Sequence, residues 1–136
     1  MKKYLLDTNI CIFYFKDKHG IEAKIKAAGE ENVFISEITI AELKFGVANT
    51  EDPTKREKNR EAVIKFQNTA NIIPIISVLD VYASERARLK NLGKSLDDFD
   101  LLIGATALTH NLTMVTNNVS HLGRMEEIVI EDWTKS

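Results

Sequence analysis

Residues 1–15 read MKKYLLDTNICIFYF. The apolar run Tyr4-Leu5-Leu6 stops on Asp7, and a second apolar run, Ile10 to Phe15, begins almost at once. The first run has the length of a short buried strand and the second that of two helical turns. A carboxylate between two segments that both seek burial is costly unless something pairs with it. One explanation is local. Asp7 or Thr8 can accept an orphan backbone N–H at the start of the helix, or Asp7 can mark the end of the strand. The other explanation is that further carboxylates converge on Asp7 and share a ligand.

The same alternation continues along the chain. Short apolar runs at Tyr4–Leu6, Val33–Ile35, Ile72–Ile76, Thr113–Val115 and Ile128–Ile130 fit buried strands. Segments with helical spacing lie between them: Ile10–Lys16, Ile21–Ala28, Ile38–Ala48, Thr54–Thr69, Val78–Leu92 and Asp98–His110. Leu92-Gly93, after a basic last turn, is a helix stop. Strands that alternate with helices predict an α/β layer fold with a mainly parallel sheet covered on both faces. Such sheets bind ligands beyond the carboxyl ends of their strands, and Asp7 stands at such an end.

Composition sets the outer bounds. A chain of 136 residues with 44% hydrophobic and 28% charged residues suits one globular domain. No apolar stretch approaches the roughly 20 residues of a membrane helix. The segment before Asp7 is too short for a secretory signal. The single cysteine, Cys11, lies in an apolar run and reads as a buried core thiol. These features predict a cytoplasmic protein that makes no membrane contact. The net charge of −2 carries no global mark of a nucleic-acid binder, so any attraction to phosphate must be local. Two basic clusters, Lys55-Arg56 with Lys58 and Arg60, and Arg86 with Arg88, Lys90 and Lys94, read as solvated helix faces.

Three further stretches carry candidates for the site. In ISEITIAELKFGVAN (35–49), Glu42 shares a helical row with Ile38 and Phe45, with Gly46 beside it, so it interrupts a face that reads as buried. In GKSLDDFDLLIGATALTHN (93–111), Ser95, Asp97, Asp98 and Asp100 crowd a helix start. Capping and the helix dipole explain Asp97 and Asp98. The row of Asp100 continues through Ile103, Gly104 and Ala107, so it points along a packed face. In LTMVTNNVSHLG (112–123), a short strand ends on Thr116 and Asn117-Asn118 follow in a loop, where turn chemistry is a sufficient explanation. Asp7, Glu42 and Asp100 each break an apolar context, and each is expected at or just past a strand end. Three carboxylates in one pocket cannot all ionise cheaply. A hard divalent cation, Mg²⁺ or Mn²⁺, resolves that with oxygen ligands alone, and such sites cleave phosphate esters.

Four of these stretches together, LLDTN (5–9), ISEITIAEL (35–43), DDFDLLIGATAL (97–108) and MVTNNVSHL (114–122), resemble the PIN-domain ribonuclease toxins of VapC type. The resemblance runs through essentially the whole chain and implies a single PIN-like domain over residues 1–136. It implies a compact α/β/α sandwich with a mainly parallel central sheet. It also implies a Mg²⁺- or Mn²⁺-dependent endoribonuclease that forms a homodimer and is neutralised by a cognate antitoxin in a hetero-oligomer. Carried over by motif, Asp7, Glu42 and Asp100 match the acidic triad. Asp7 and Asp100 would hold the metal, with Glu42 binding directly or through water. Asp98 falls where many members have a second acid. Asn118 falls where many have a fourth Asp, though Asn is also common there. Thr8, Asn9, Ser36 and Thr116 match positions that orient the acids. His121 is given no catalytic role.

Two other classes are weighed against this. Haloacid-dehalogenase-like phosphatases also follow an apolar first strand with Asp, but they need a second Asp two residues on, where this chain has Asn9. A non-catalytic PIN-like module that binds RNA or protein is the remaining alternative. Against it, clustered carboxylates without a metal would cost stability.

Overall fold

The computed structural model describes residues 1–135. Its sheet has five strands: β1 (Tyr4–Leu6), β2 (Val33–Ser36), β3 (Asn71–Ile73), β4 (Thr113–Val115) and β5 (Ile130–Glu131). They lie in the order β3-β2-β1-β4-β5. Each neighbouring pair is parallel, with Leu5 opposite both Phe34 and Met114. Seven α-helices connect them: α1 (Thr8–Phe15), α2 (Ile21–Ala28), α3 (Glu37–Ala48), α4 (Pro53–Thr69), α5 (Leu79–Asn91), α6 (Asp98–Thr109) and α7 (Val119–Leu122). Short 3₁₀ turns precede β2 and α5. Among the described residues no helix is long and apolar enough to cross a membrane.

Alternation along the strands builds two cores. Leu6, Ile35 and Val115 face one side, where Ile10, Ile21, Leu43 and Val63 bring α1 to α4 onto the sheet, with Trp133 among them. Leu5 and Met114 face the other side, against Leu89, Leu101, Ile103 and Leu122 of α5, α6 and α7. Leu5 and Leu6 are 0% and 1% exposed, and each such burial contributes about 1.5–3 kcal/mol. That gain pulls the end of β1, and Asp7 with it, into the interior.

The strand order makes β1 the pivot. The chain moves from β1 outward to β2 and β3, then crosses back to β4 and β5 on the other side. The carboxyl end of β1 is therefore the point where strand order reverses, which is where open parallel sheets form a crevice.

Several boundaries differ from the sequence expectations, each for a local reason. β3 ends at Ile73 rather than Ile76. Pro74 has no N–H for the ladder, and the next N–H, of Ile75, goes to the Glu37 carboxylate at 2.8 Å. The last strand is Ile130–Glu131, not Ile128–Ile130; Glu127 turns the chain at φ 65 just before it. α1 starts at Thr8 because Asp7 caps it. The loop expected after Thr116 holds α7. The helix stop is a Schellman turn: Gly93 sits at φ 67, and its N–H and that of Lys94 reach Lys90 O and Leu89 O at 3.1 and 2.9 Å.

The face of α3 that carries Glu42 is buried only at its first turn. Ile38 is covered, but Phe45 is 68% exposed. Leu43 and Val47, on the other side of the helix, take the packing against α4 instead.

Three arginines of the basic clusters are held in ion pairs. Arg88 pairs with Glu85 at 2.8 Å and donates to Arg124 O at 2.9 Å. Arg86 pairs with Asp98 at 3.2 Å, and Arg60 with Glu57 at 3.3 Å. Cys11 is fully buried, and burial pushes its thiol pKa up. Trp133 packs its ring on Tyr4, with centroids 5.2 Å apart.

Candidate active site

The local explanation for Asp7 holds: it caps a helix and is tied to a second strand end. Its Oδ1 accepts the Thr8 N–H at 2.8 Å, as the cap of α1. Its Oδ2 accepts the Thr116 hydroxyl at 2.7 Å, from the end of β4. Thr116 is fully buried and Asp7 is 5% exposed. Burial raises the Asp7 carboxyl above its ordinary value, and the two hydrogen bonds offset only part of that.

Thr8 links Asp7 to the second acid. Its hydroxyl donates to Glu42 Oε1 at 2.6 Å and lies 3.1 Å from the fully buried Thr39 hydroxyl. One O–H cannot donate twice, so Thr39 supplies the proton of that second bond. Burial raises the Glu42 carboxyl, with repulsion from Asp7 and Asp97 adding to it, against the Thr8 bond.

Asp100 lies in the first turn of α6 and is half-buried. Its carboxyl is pushed up to about 6, first by burial, then by Asp7, Asp97 and Glu42. Contrary to the sequence expectation, no strand end delivers it; α6 follows α5. Packing places it. Behind it on the same row, Gly104 leaves room for Met125, whose sulfur would collide with any Cβ there. What approaches the small-residue row is therefore a side chain seated on α6.

Asp98 does not join this group. It is exposed, accepts the Tyr82 hydroxyl at 2.9 Å and pairs with Arg86. Asp97, set aside as a cap, is the neighbour that acts on both Glu42 and Asp100. It also caps α6 by accepting the Phe99 N–H at 3.1 Å. Helical spacing held the signal: positions three apart share a face and positions two apart do not.

Asn118 borders the group through its backbone, whose N–H donates to Thr116 Oγ1 at 2.9 Å. His121, given no role from sequence, favours the ionised form of Asp100 by its charge. Ser36 serves its own helix, accepting the Ile38 N–H at 3.0 Å, and Asn9 is exposed.

The donor set suits a hard divalent cation: oxygen ligands whose charges repel and whose desolvation resists ionisation. Among the described residues, no three His, Cys, Asp or Glu side chains converge as a ready-made metal cage. Mg²⁺ typically keeps several waters and takes one or two carboxylates, so an open arrangement of this kind is compatible with it.

Residues 4–126 match the PIN domain family. The chain is 33% identical to "Ribonuclease VapC2" of Rickettsia felis, over 97% of this chain and 98% of that protein. It is 29% identical to the "tRNA(fMet)-specific endonuclease VapC" of Shigella flexneri, over 98% of this chain and the whole of that protein. Its structure resembles a chain of the DNA-bound VapBC crystal structure from Salmonella typhimurium, with a TM-score of 0.86 and 31% identity over 98% and 99% of the two chains.

Proposed function

The chain belongs to the PIN-domain family, and on that premise we propose that it is a metal-dependent endoribonuclease of VapC type, the toxic half of a toxin–antitoxin pair. In this reading residues 1–136 act as one PIN-like domain in the cytoplasm. The observation that carries it is the joint elevation of Asp7, Glu42 and Asp100 at the reversal point of a parallel sheet. Carboxylates crowded this way, with no cation beside them, cost stability.

Asp7 and Asp100, with Glu42, would hold Mg²⁺, with Mn²⁺ as a substitute. When bound, the ion would supply positive charge for the scissile phosphodiester and lower the pKa of an attacking water. The remaining work falls to the chain itself. Thr116 and Thr8 fix the Asp7 carboxylate from both sides, and Thr8 also fixes Glu42. Asp97 keeps the local field negative beside Asp100. The substrate is RNA, as the names of the relatives say of those proteins. The partners in this reading are a second copy of the chain and an antitoxin; the structural relative from Salmonella typhimurium is a VapBC complex. An antitoxin Arg fits the acidic group best, since its guanidinium pairs with carboxylates at the lowest desolvation cost.

The test is RNA cleavage by the purified chain with Mg²⁺ and with EDTA, beside growth of cells expressing it with and without its partner gene. Cleavage that needs metal, and growth arrest relieved by the partner, are expected. RNA bound but left intact in every metal would instead favour a non-catalytic RNA-binding module.

A further inference from the structure

Asn118 occupies the N-cap position of α7, yet its side chain accepts no backbone N–H of that helix. An N-cap Asn ordinarily turns its Oδ1 back to the second or third helical N–H. Here Oδ1 instead lies 2.6 Å from His121 Nδ1, one turn further on. A carbonyl oxygen only accepts, so the imidazole carries its proton on Nδ1 and donates it. The bond continues a chain that reaches the site: His121 to Asn118 Oδ1, Asn118 N–H to Thr116 Oγ1, Thr116 O–H to Asp7 Oδ2. Its charge also acts on Asp100.

An amide has two unlike ends. Once its oxygen is committed to His121, what Asn118 has left to offer is its NH₂, two donors and no negative charge. A hard cation wants oxygen, whereas a phosphate oxygen wants a donor.

We infer that His121 is a positioning residue that turns the Asn118 amide so that its NH₂ meets a non-bridging phosphate oxygen of the substrate, making Asn118 an anion donor and not a metal ligand. This rests on the nuclease proposal and assigns roles within the same site.

The experiment compares His121→Ala, His121→Asn, Asn118→Ala and the double variant His121→Ala/Asn118→Ala in the full chain. His121→Ala should lower kcat/KM on the order of 10-fold, the usual scale for an outer partner that orients a site group. His121→Asn, which keeps a donor at the δ position, should recover most of it. The double variant should be no worse than Asn118→Ala alone, because both remove one interaction. A helix cap without function would move the melting temperature and leave kcat/KM alone. Two readouts do not require cleavage. Ring ¹⁵N shifts should report the Nδ1-protonated tautomer of neutral His121, and Mn²⁺ affinity should be the same in Asn118→Ala as in the wild type. A wild-type chain that never cleaves RNA would refute the nuclease reading, and these two readouts would still decide whether His121 holds the Asn118 oxygen away from a metal. The Nε2-protonated tautomer, additive losses in the double variant, or a tenfold loss of Mn²⁺ affinity in Asn118→Ala would overturn it.

Discussion

The Thr116 hydroxyl donates to Asp7 Oδ2 at 2.7 Å across a separation of 109 residues. It ties the end of β4 to the end of β1 at the point where strand order reverses. Thr116→Val keeps the shape and removes the donor. A buried acceptor left unpaired costs about 1–3 kcal/mol, so the variant should melt lower at neutral pH and lose cleavage. Thr116→Ser should restore both. A Val variant with wild-type melting and turnover would mean that Asp7 needs no such support.

Asp7→Asn and Asp100→Asn should each abolish RNA cleavage while circular dichroism shows a folded chain. Asn keeps the volume and can still cap α1, so the loss would be one of charge. Turnover near wild type in either variant would remove that residue from the ligand set.

Asp97 and Asp98 should separate cleanly. Asp97→Asn keeps the cap on α6 and deletes a charge that acts on Asp100 and Glu42, so it should shift the pH profile of cleavage. Asp98→Asn breaks only an exposed contact with Arg86 and Tyr82, and its effect on stability should stay within about 0.5 kcal/mol. The reverse ranking in a cleavage assay would show that substrate or metal draws Asp98 into the site.

In EDTA, stability should fall as pH rises through the region set by Asp100. Burial and the neighbouring acids raise its folded carboxyl to about 6, against an ordinary 3.8. A raised folded pKa means the unfolded chain gives up its proton first, so ionisation favours unfolding. The penalty is absent below the unfolded pKa and complete above the folded one. Asp100→Asn lacks it and should be the more stable apo protein at pH 7. Each pKa unit is about 1.4 kcal/mol; for a half-exposed group, solvent screening reduces the expected gain to about 1 kcal/mol. Thermal melts from pH 4 to 8 measure this, and a variant less stable than wild type throughout would make Asp100 a structural partner.

Millimolar Mg²⁺ or Mn²⁺ should raise the melting temperature of the wild type and much less that of Asp100→Asn, since only a folded state that binds the ion gains by mass action. Ca²⁺ should stabilise but support little cleavage, because its looser coordination positions water poorly. Equal stabilisation of the two proteins would place the ion elsewhere.

Sequence alone determined the class of fold and singled out Asp7, Glu42 and Asp100 as candidates. The switch between strand and helix period is a local property, because burial on a sheet face or a helix face selects residues two or about three and a half apart. An isolated carboxylate in an apolar run is equally visible, because a desolvated charge is too costly to occur there without a use. Tertiary structure decided what depends on distance between elements. Strand order placed Asp7 at the reversal point. The packing of Met125 on Gly104 presented Asp100 from a helix that follows no strand. The same helix turned Asp97 toward the acids and Asp98 toward Arg86. A one-turn helix after β4 brought His121 back to Asn118, although local pattern read that segment as loop. Apart from the local turn that joins His121 to Asn118, these outcomes depend on contacts between different elements, whose energies arise only once the chain has closed on itself.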